Sequence, residues 1–168
     1  MPKTLRLSMI LMLAVFSMAS AQESLLLKSA KAELQRAYEE FRKEKTPAYF
    51  IGFTINESNA YRLSASCGRL ERDENTKARI LDIDLRVGDY NFDNTHIIRG
   101  AGFSFGRGSM DAMLPLEDDE ASIRSSIWFT TDKVYKSAIE RYEKAITNKA
   151  VKVAEEDSAA DFSKEKSE

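Results

Sequence analysis

The stretch RVGDYNFDNTH, Arg86 to His96, holds the side chains of this sequence best suited to chemistry. Arg86, Asp89, Asp93 and Asn94 place a cation, two carboxylates and an amide at the end of a strongly alternating strand, and His96 follows. A site could lie there, although the spacing is specific to no one reaction. Asp and Asn also close turns with their own side chains, which is the plainer reading of this spacing. His96 is the only histidine among the 168 residues and Cys67 the only cysteine. A HExxH helix, a histidine-pair zinc site and a cysteine-rich zinc site therefore cannot be assembled within this chain. Ser/His/Asp catalysis would have to recruit His96 from a loop, and no strand-turn-helix GxSxG elbow accompanies it. His96 is read as a surface-loop residue, and no catalytic, cofactor-binding or metal-binding residue is assigned.

A second run of acids, Glu117, Asp118, Asp119 and Glu120 in LPLEDDEASIRSSIW, follows Pro115 and precedes an amphipathic stretch. Unpaired amides and the helix dipole make a helix start locally positive, so acids belong there, each worth about 0.3 to 1 kcal/mol. Adjacent side chains at a helix start diverge, whereas Ca²⁺ needs several converging oxygens. The run reads as helix initiation. GAGFSFGRG lacks both GK[ST] and a GxGxxG placed before a helix, so it marks a loop and implies no cofactor.

Two helices and a meander of strands must position these groups. Ser24 caps a helix whose apolar residues Leu27, Ala30, Leu34, Ala37, Tyr38 and Phe41 recur at steps of three and four, and Pro47 ends helical geometry. AYFIGFTINE alternates with Tyr49, Ile51, Phe53 and Ile55 on one face, with a turn expected at Asn56 to Asn59. AYRLSASCGRL alternates again and puts Cys67 on its buried side, then Glu71 to Thr76 connects. ARILDIDLRVG is the clearest strand, with Leu81, Ile83, Leu85 and Val87 on one face. Short links favour antiparallel pairing, and a free edge of such a sheet could take a peptide by strand addition. Gly88 to Met113 reads as a long loop with room for a short strand. The second helix carries Ile123, Ile127, Val134, Tyr135, Ala138, Ile139, Tyr142 and Ile146 as one stripe, and Trp128 and Phe129 are expected to widen its core face. The fold class is α+β: a two-layer sandwich, with an antiparallel sheet of three to four strands covered on one face by two long helices.

At the N-terminus Lys3 and Arg6 precede LSMILMLAVFSMA, which closes on small residues. This is the pattern of a signal peptide over 1–21, cleaved after Ala21, and it is shorter than the roughly 20 apolar residues of a membrane span. The expectation is an exported, periplasmic chain with no stable membrane anchor after cleavage. The domain then spans 22–148, and 149–168 reads as a charged tail or linker. The whole chain carries 27 acidic and 25 basic residues, and losing Lys3 and Arg6 makes it more acidic still. That balance excludes nucleic acid as a general partner. One cysteine cannot form an internal disulfide, so packing alone must hold the fold.

The segments ELQRAYEEF, PAYFIGFTINE, RILDIDLRVGDYNFDNTH and LPLEDDEASIRSSIWFTTDKVYKSAIERY, ending near DFSKE, together resemble the N-terminal domain of the TldD/PmbA family, predicted zinc-dependent peptidases and their inactivated relatives. The resemblance runs from Glu33 to Glu165. It implies a two-layer α/β domain that precedes a C-terminal domain bearing an HExxxH-type zinc motif, with an active cleft between domains. That motif is not in this sequence, so the metal ligands carry over to no residue here. What carries over is a non-catalytic domain that lines a peptide cleft around Arg86, Asp89, Asp93 and Asn94 or assists a catalytic subunit of that family. The alternative is an exported structural or assembly protein that forms a homodimer.

Overall fold

A computed structural model describes residues 23–98, 111–151 and 160–162. The signal peptide expected over 1–21 with cleavage after Ala21, and the glycines from Gly100 to Gly108, fall outside the described residues. The elements run α1 (Leu25–Phe41), β1 (Ala48–Ser66), β2 (Arg69–Val87), β3 (Ala112–Met113) and α2 (Glu120–Val151). The strands form one antiparallel sheet in the order β1-β2-β3, and both helices pack on it as the second layer of an α+β sandwich.

The meander expected from sequence is instead one long hairpin. β1 and β2 are 19 residues each and pair through the supposed turn at Asn56 to Asn59 and the supposed connection at Glu71 to Thr76, with a register shift that leaves Glu71 as the one extra residue. Their length is roughly 60 Å. The chain reverses at Cys67 and Gly68, whose φ values are 49° and 76°. Two successive positive φ values give the turn that matches the twist of a two-residue hairpin, and Gly68 adopts it without strain. Cys67 is accordingly exposed at the tip and not buried in the sheet as its alternation had suggested.

Alternation decides which half of the hairpin is covered. Leu81, Ile83, Leu85 and Val87 are all 0 % exposed, and opposite them Ile55, Phe53 and Ile51 share their face and pack on the same core. Each such burial contributes roughly 1.5 to 3 kcal/mol. From Asn56 to the tip and back to Lys77 every residue is exposed, so this half has two wet faces. The sequence there is polar on both sides, which is why it read as turn and connection.

On α1 the buried stripe is Ala30, Glu33, Ala37 and Phe41, with Ser29 beside it and the partly buried Leu26 packed on the same core. It is rotated from the expected one, leaving Leu27 and Tyr38 exposed at 47 % and 41 %. Small residues let α2 approach closely. Glu33 lies between the helices and accepts from Arg36 Nε at 2.7 Å and from Arg124 Nε at 2.8 Å. Phe41 stacks on Tyr135 with centroids 4.1 Å apart, and the Tyr135 hydroxyl donates to Thr46 O at 2.8 Å, fixing the exit from α1. Ser24 caps α1 as its sequence suggests, accepting from the Leu27 amide.

α2 starts where the acids are. Asp119 is the cap: its carboxylate accepts from the Ser122 amide at 2.8 Å, and these Ser122 bonds hold its carboxyl below the usual value. Asp118 reaches back to Arg79 at 3.0 Å, and Glu120 pairs with Arg124 one turn on. Arg79 is 4 % exposed and also donates to Pro115 O and Glu57, so one buried guanidinium ties the hairpin to the start of α2. The helix continues past the expected end near Asn148 to Val151. Trp128 and Phe129 do not join the core: they are about half exposed and lie against Arg36 and Lys133. Ile146 is also exposed, and Ala145 takes the buried place.

Candidate functional site

Two local devices build the end of the hairpin where the sequence placed its polar cluster. Between the pairs Ala48↔Val87 and Phe50↔Arg86, β1 carries one extra residue, Tyr49. A bulge re-aims a side chain, and here the Tyr49 hydroxyl donates to Asp93 Oδ2 at 2.6 Å. Tyr49 therefore does not continue the face of Ile51, Phe53 and Ile55. After β2 the chain turns at Gly88, φ +109°, where an added Cβ would lie 2.6 Å from Phe92 O and 2.7 Å from Tyr142 Cε2. Only glycine fits there. The chain then folds back, with Asp89 N donating to Phe92 O, a bridge between Gly88 and Asp93, and Asn94 N donating to Val87 O.

The four residues singled out by sequence have distinct duties. Asp89 Oδ1 accepts from the amides of Asn91 and Phe92 at 2.7 and 3.2 Å, which is turn closure. Asn94, 1 % exposed, accepts from Val87 N at 2.9 Å and donates to Leu85 O at 3.2 Å, continuing the sheet's bonding past the strand end. Arg86 and Asp93 do meet, with Nη1 3.4 Å from Oδ2. Asp93 is 0 % exposed and further accepts from Thr95 N and Thr95 Oγ1, both at 2.6 Å. Its acceptor positions are filled by Tyr49, Thr95 and Arg86, which leaves no room to take a proton from a substrate. Burial, and after it the Asp93 carboxylate, raises the Tyr49 phenol above its ordinary pKa, so it stays a donor.

Three further residues complete this cluster, and the sequence reading did not place them. His96 is partly buried, not a free surface residue: its Nδ1 lies 2.8 Å from Asp161 Oδ1 and 3.1 Å from Oδ2. Asp161 Oδ2 also accepts from Asp93 N at 2.9 Å. Phe162 packs beside Tyr49, Phe50 and Tyr90, with the Arg86 guanidinium 4.2 Å from its ring centre. Both residues come from the segment read as a charged tail. Phe162 is its only aromatic, and that was the available signal.

A second feature lies along β1. Its inner side pairs with β2, and among the described residues no strand pairs with its outer side. Beside it is an open depression of about 670 Å³ lined by Lys31, Ala32, Leu34, Gln35 and Tyr38 of α1 and Ile51 of β1. The exposure of Tyr38, expected in the core, is what opens this groove. Farther out the hairpin exposes Tyr61, Leu63 and Leu70, each more than half accessible.

The zinc of TldD/PmbA catalytic domains has no fit in this arrangement. The single imidazole is turned to Asp161, and among the described residues no group of three or more His, Cys, Asp and Glu converges on a point. Among the described residues no helix is long and apolar enough to cross a membrane. A scan against protein-family models, a search of curated proteins and a search of solved structures each found no match.

Proposed function

We propose that this chain is a non-catalytic domain of the TldD/PmbA N-terminal type that holds an extended peptide along the outer edge of β1, alone or for a catalytic partner, in the exported setting its leader implies. The observation that carries the reading is that edge, up to 19 residues long and flanked by the groove of Leu34, Tyr38 and Ile51. An unpaired edge is a row of amides and carbonyls ready for another strand, and natural sheets cover or charge such edges when no partner is meant to bind. A peptide added there gains main-chain hydrogen bonds, while alternate side chains enter the groove. Asp89, Asp93 and Asn94 serve the strand end, so in this reading they shape the cleft by holding backbone, and Arg86 is itself engaged by Asp84, Asp93 and the Phe162 ring.

The test is incubation of the purified full chain with zinc and fluorescein-labelled casein. No release of labelled fragments is expected. Cleavage that rises with bound zinc and disappears on chelation would overturn the proposal. A second reading, self-assembly, is favoured by Tyr61, Leu63 and Leu70 on the outer hairpin. Light scattering across a dilution series separates the two, since a strict monomer sinks self-assembly and a concentration-dependent dimer supports it.

A further inference from the structure

The contacts of Asp161 and Phe162 have the form of a bound ligand more than of a packed element. The described residues 160–162 are in neither helix nor strand, yet every recognisable feature of Asp161-Phe162 is met by a different part of the fold. The carboxylate faces His96 Nδ1 at 2.8 Å and the Asp93 amide at 2.9 Å. A carboxylate can only accept, so Nδ1 must carry the proton. The Phe162 amide donates to Tyr90 O at 3.1 Å, fixing the backbone between the two side chains. The ring is flanked by Phe50 and Tyr90 at 5.6 and 5.7 Å and by Tyr49 at 6.3 Å, with Arg86 over it at 4.2 Å.

These partners are held independently of the segment they receive. The Tyr49 bulge, the Gly88 turn, the Asp93 hub and the Arg86 pairing with Asp84 are bonded within β1, β2 and the turn that follows them. The main-chain acceptor and the aromatic-cation seat of this groove thus have supports that do not pass through residues 160–162, and His96 at its acid-binding end is held by its own amide on Asp93 O and by Phe92. Aromatic rings and a guanidinium around one ring favour an aromatic ligand side chain over an aliphatic one of similar size.

We propose that this groove is a recognition site for an Asp-Phe motif, occupied here in cis by Asp161-Phe162. The site lies at the Ala48 end of the hairpin and is independent of strand addition to β1, so either proposal can fail alone. A tethered occupant competes at an effective concentration on the order of millimolar. A free peptide with the same motif should therefore bind the intact chain at least about tenfold more weakly than a chain whose own motif is removed, for an intrinsic Kd of roughly 100 µM or tighter.

The probe is a fluorescein-labelled Ala-Ala-Asp-Phe-Ser-Lys-Glu peptide, the sequence of residues 159–165, titrated into the full chain and into the double variant Asp161→Ala, Phe162→Ala, with fluorescence polarisation as readout. Binding to the double variant, loss of binding when the peptide's own Phe is changed to Ala, and weak binding to the unaltered chain are expected. Equal binding to both chains, equal binding of the Ala peptide, or no binding to a folded double variant would overturn the proposal. Should the double variant lose its circular dichroism, Phe162→Leu replaces it. This change keeps an apolar side chain but removes the ring, and amide exchange at Asp93 and at position 162 should then quicken; unchanged exchange would equally overturn the proposal.

Discussion

Asp93→Asn is the substitution on which the account of the hairpin end makes its sharpest statement. The side chain is fully buried, and its oxygens are shared by Tyr49 Oη, Thr95 N and Thr95 Oγ1 at 2.6 Å and Arg86 Nη1 at 3.4 Å. Asparagine has the same shape, so Oδ1 can continue to accept from Thr95. The new amide NH₂ faces Tyr49 and Arg86. Tyr49 can turn its hydroxyl to accept, but a guanidinium has no acceptor, so two donors oppose each other and a cation whose side chain is 17 % exposed keeps only Asp84. Hydrogen bonds to charged groups contribute about 1.5 to 3 kcal/mol, and breaking a buried pair costs about 3 to 5. Because Arg86 retains Asp84, the expected loss is about 2 to 4 kcal/mol. Urea unfolding followed by circular dichroism should show a lower midpoint with an unchanged m value. Asp89→Asn is the control, since its carbonyl oxygen can still accept from Asn91 and Phe92, and it should fall within about 0.5 kcal/mol of the parent. A loss below about 0.5 kcal/mol for Asp93→Asn would refute the assignment of Asp93 as the hub.

Gly88→Ala places a methyl group in backbone and ring atoms at a positive φ, and the strain together with overpacking should cost about 2 to 5 kcal/mol in the same urea experiment. Tyr49 makes stability depend on alkaline pH: its folded pKa is raised, so its contribution is complete below the ordinary tyrosine value of about 10 and is lost as pH rises from there toward the folded value. Unfolding midpoints from pH 8 upward should fall more steeply in the parent than in Tyr49→Phe. The Asp119 cap works in the opposite direction, its carboxyl being lowered, so its contribution is complete above the unfolded value and is lost as pH falls through the folded one; Asp119→Asn, which can still cap, should flatten that acid-side loss. Cys67 at the hairpin tip should react with a thiol reagent in native buffer at a rate close to that of the urea-unfolded chain, and protection of the thiol would contradict the position of the turn.

The parts of this fold that were legible in the sequence are those in which one period meets one covered face. ARILDIDLRVG alternates because α1 and α2 cover one side of it, and the Ser24 and Asp119 caps follow from residue type and the amphipathic runs they precede. The hairpin was misread where no helix covers it. Asn56 to Asn59 and Arg72 to Thr76 are paired strand, but with water on both faces nothing selects an apolar alternation, and polar residues there look like loop. The turn was hidden because Cys67-Gly68 continues the alternation of the residues before it, although it supplies the two positive φ values. At the site, Asp89 and Asn94 act through local bonds to the backbone, as Asp and Asn near a strand end commonly do. Tyr49, His96, Asp161 and Phe162 come together across up to 113 positions through a bulge and a returning segment, and residue spacing carries no record of that contact.

The claim that the outer edge of β1 is a seat for an extended peptide is tested most directly by residue-resolved hydrogen exchange on the full chain, with and without a decapeptide of alternating valine and threonine. The account predicts that β1 amides pointing away from β2 exchange rapidly in the free chain and slow when peptide is added, while amides bonded between β1 and β2 keep their rates. No slowing along β1 up to roughly millimolar peptide, where even a weak complex would form, or slowing confined to the outer face of α2, would contradict it.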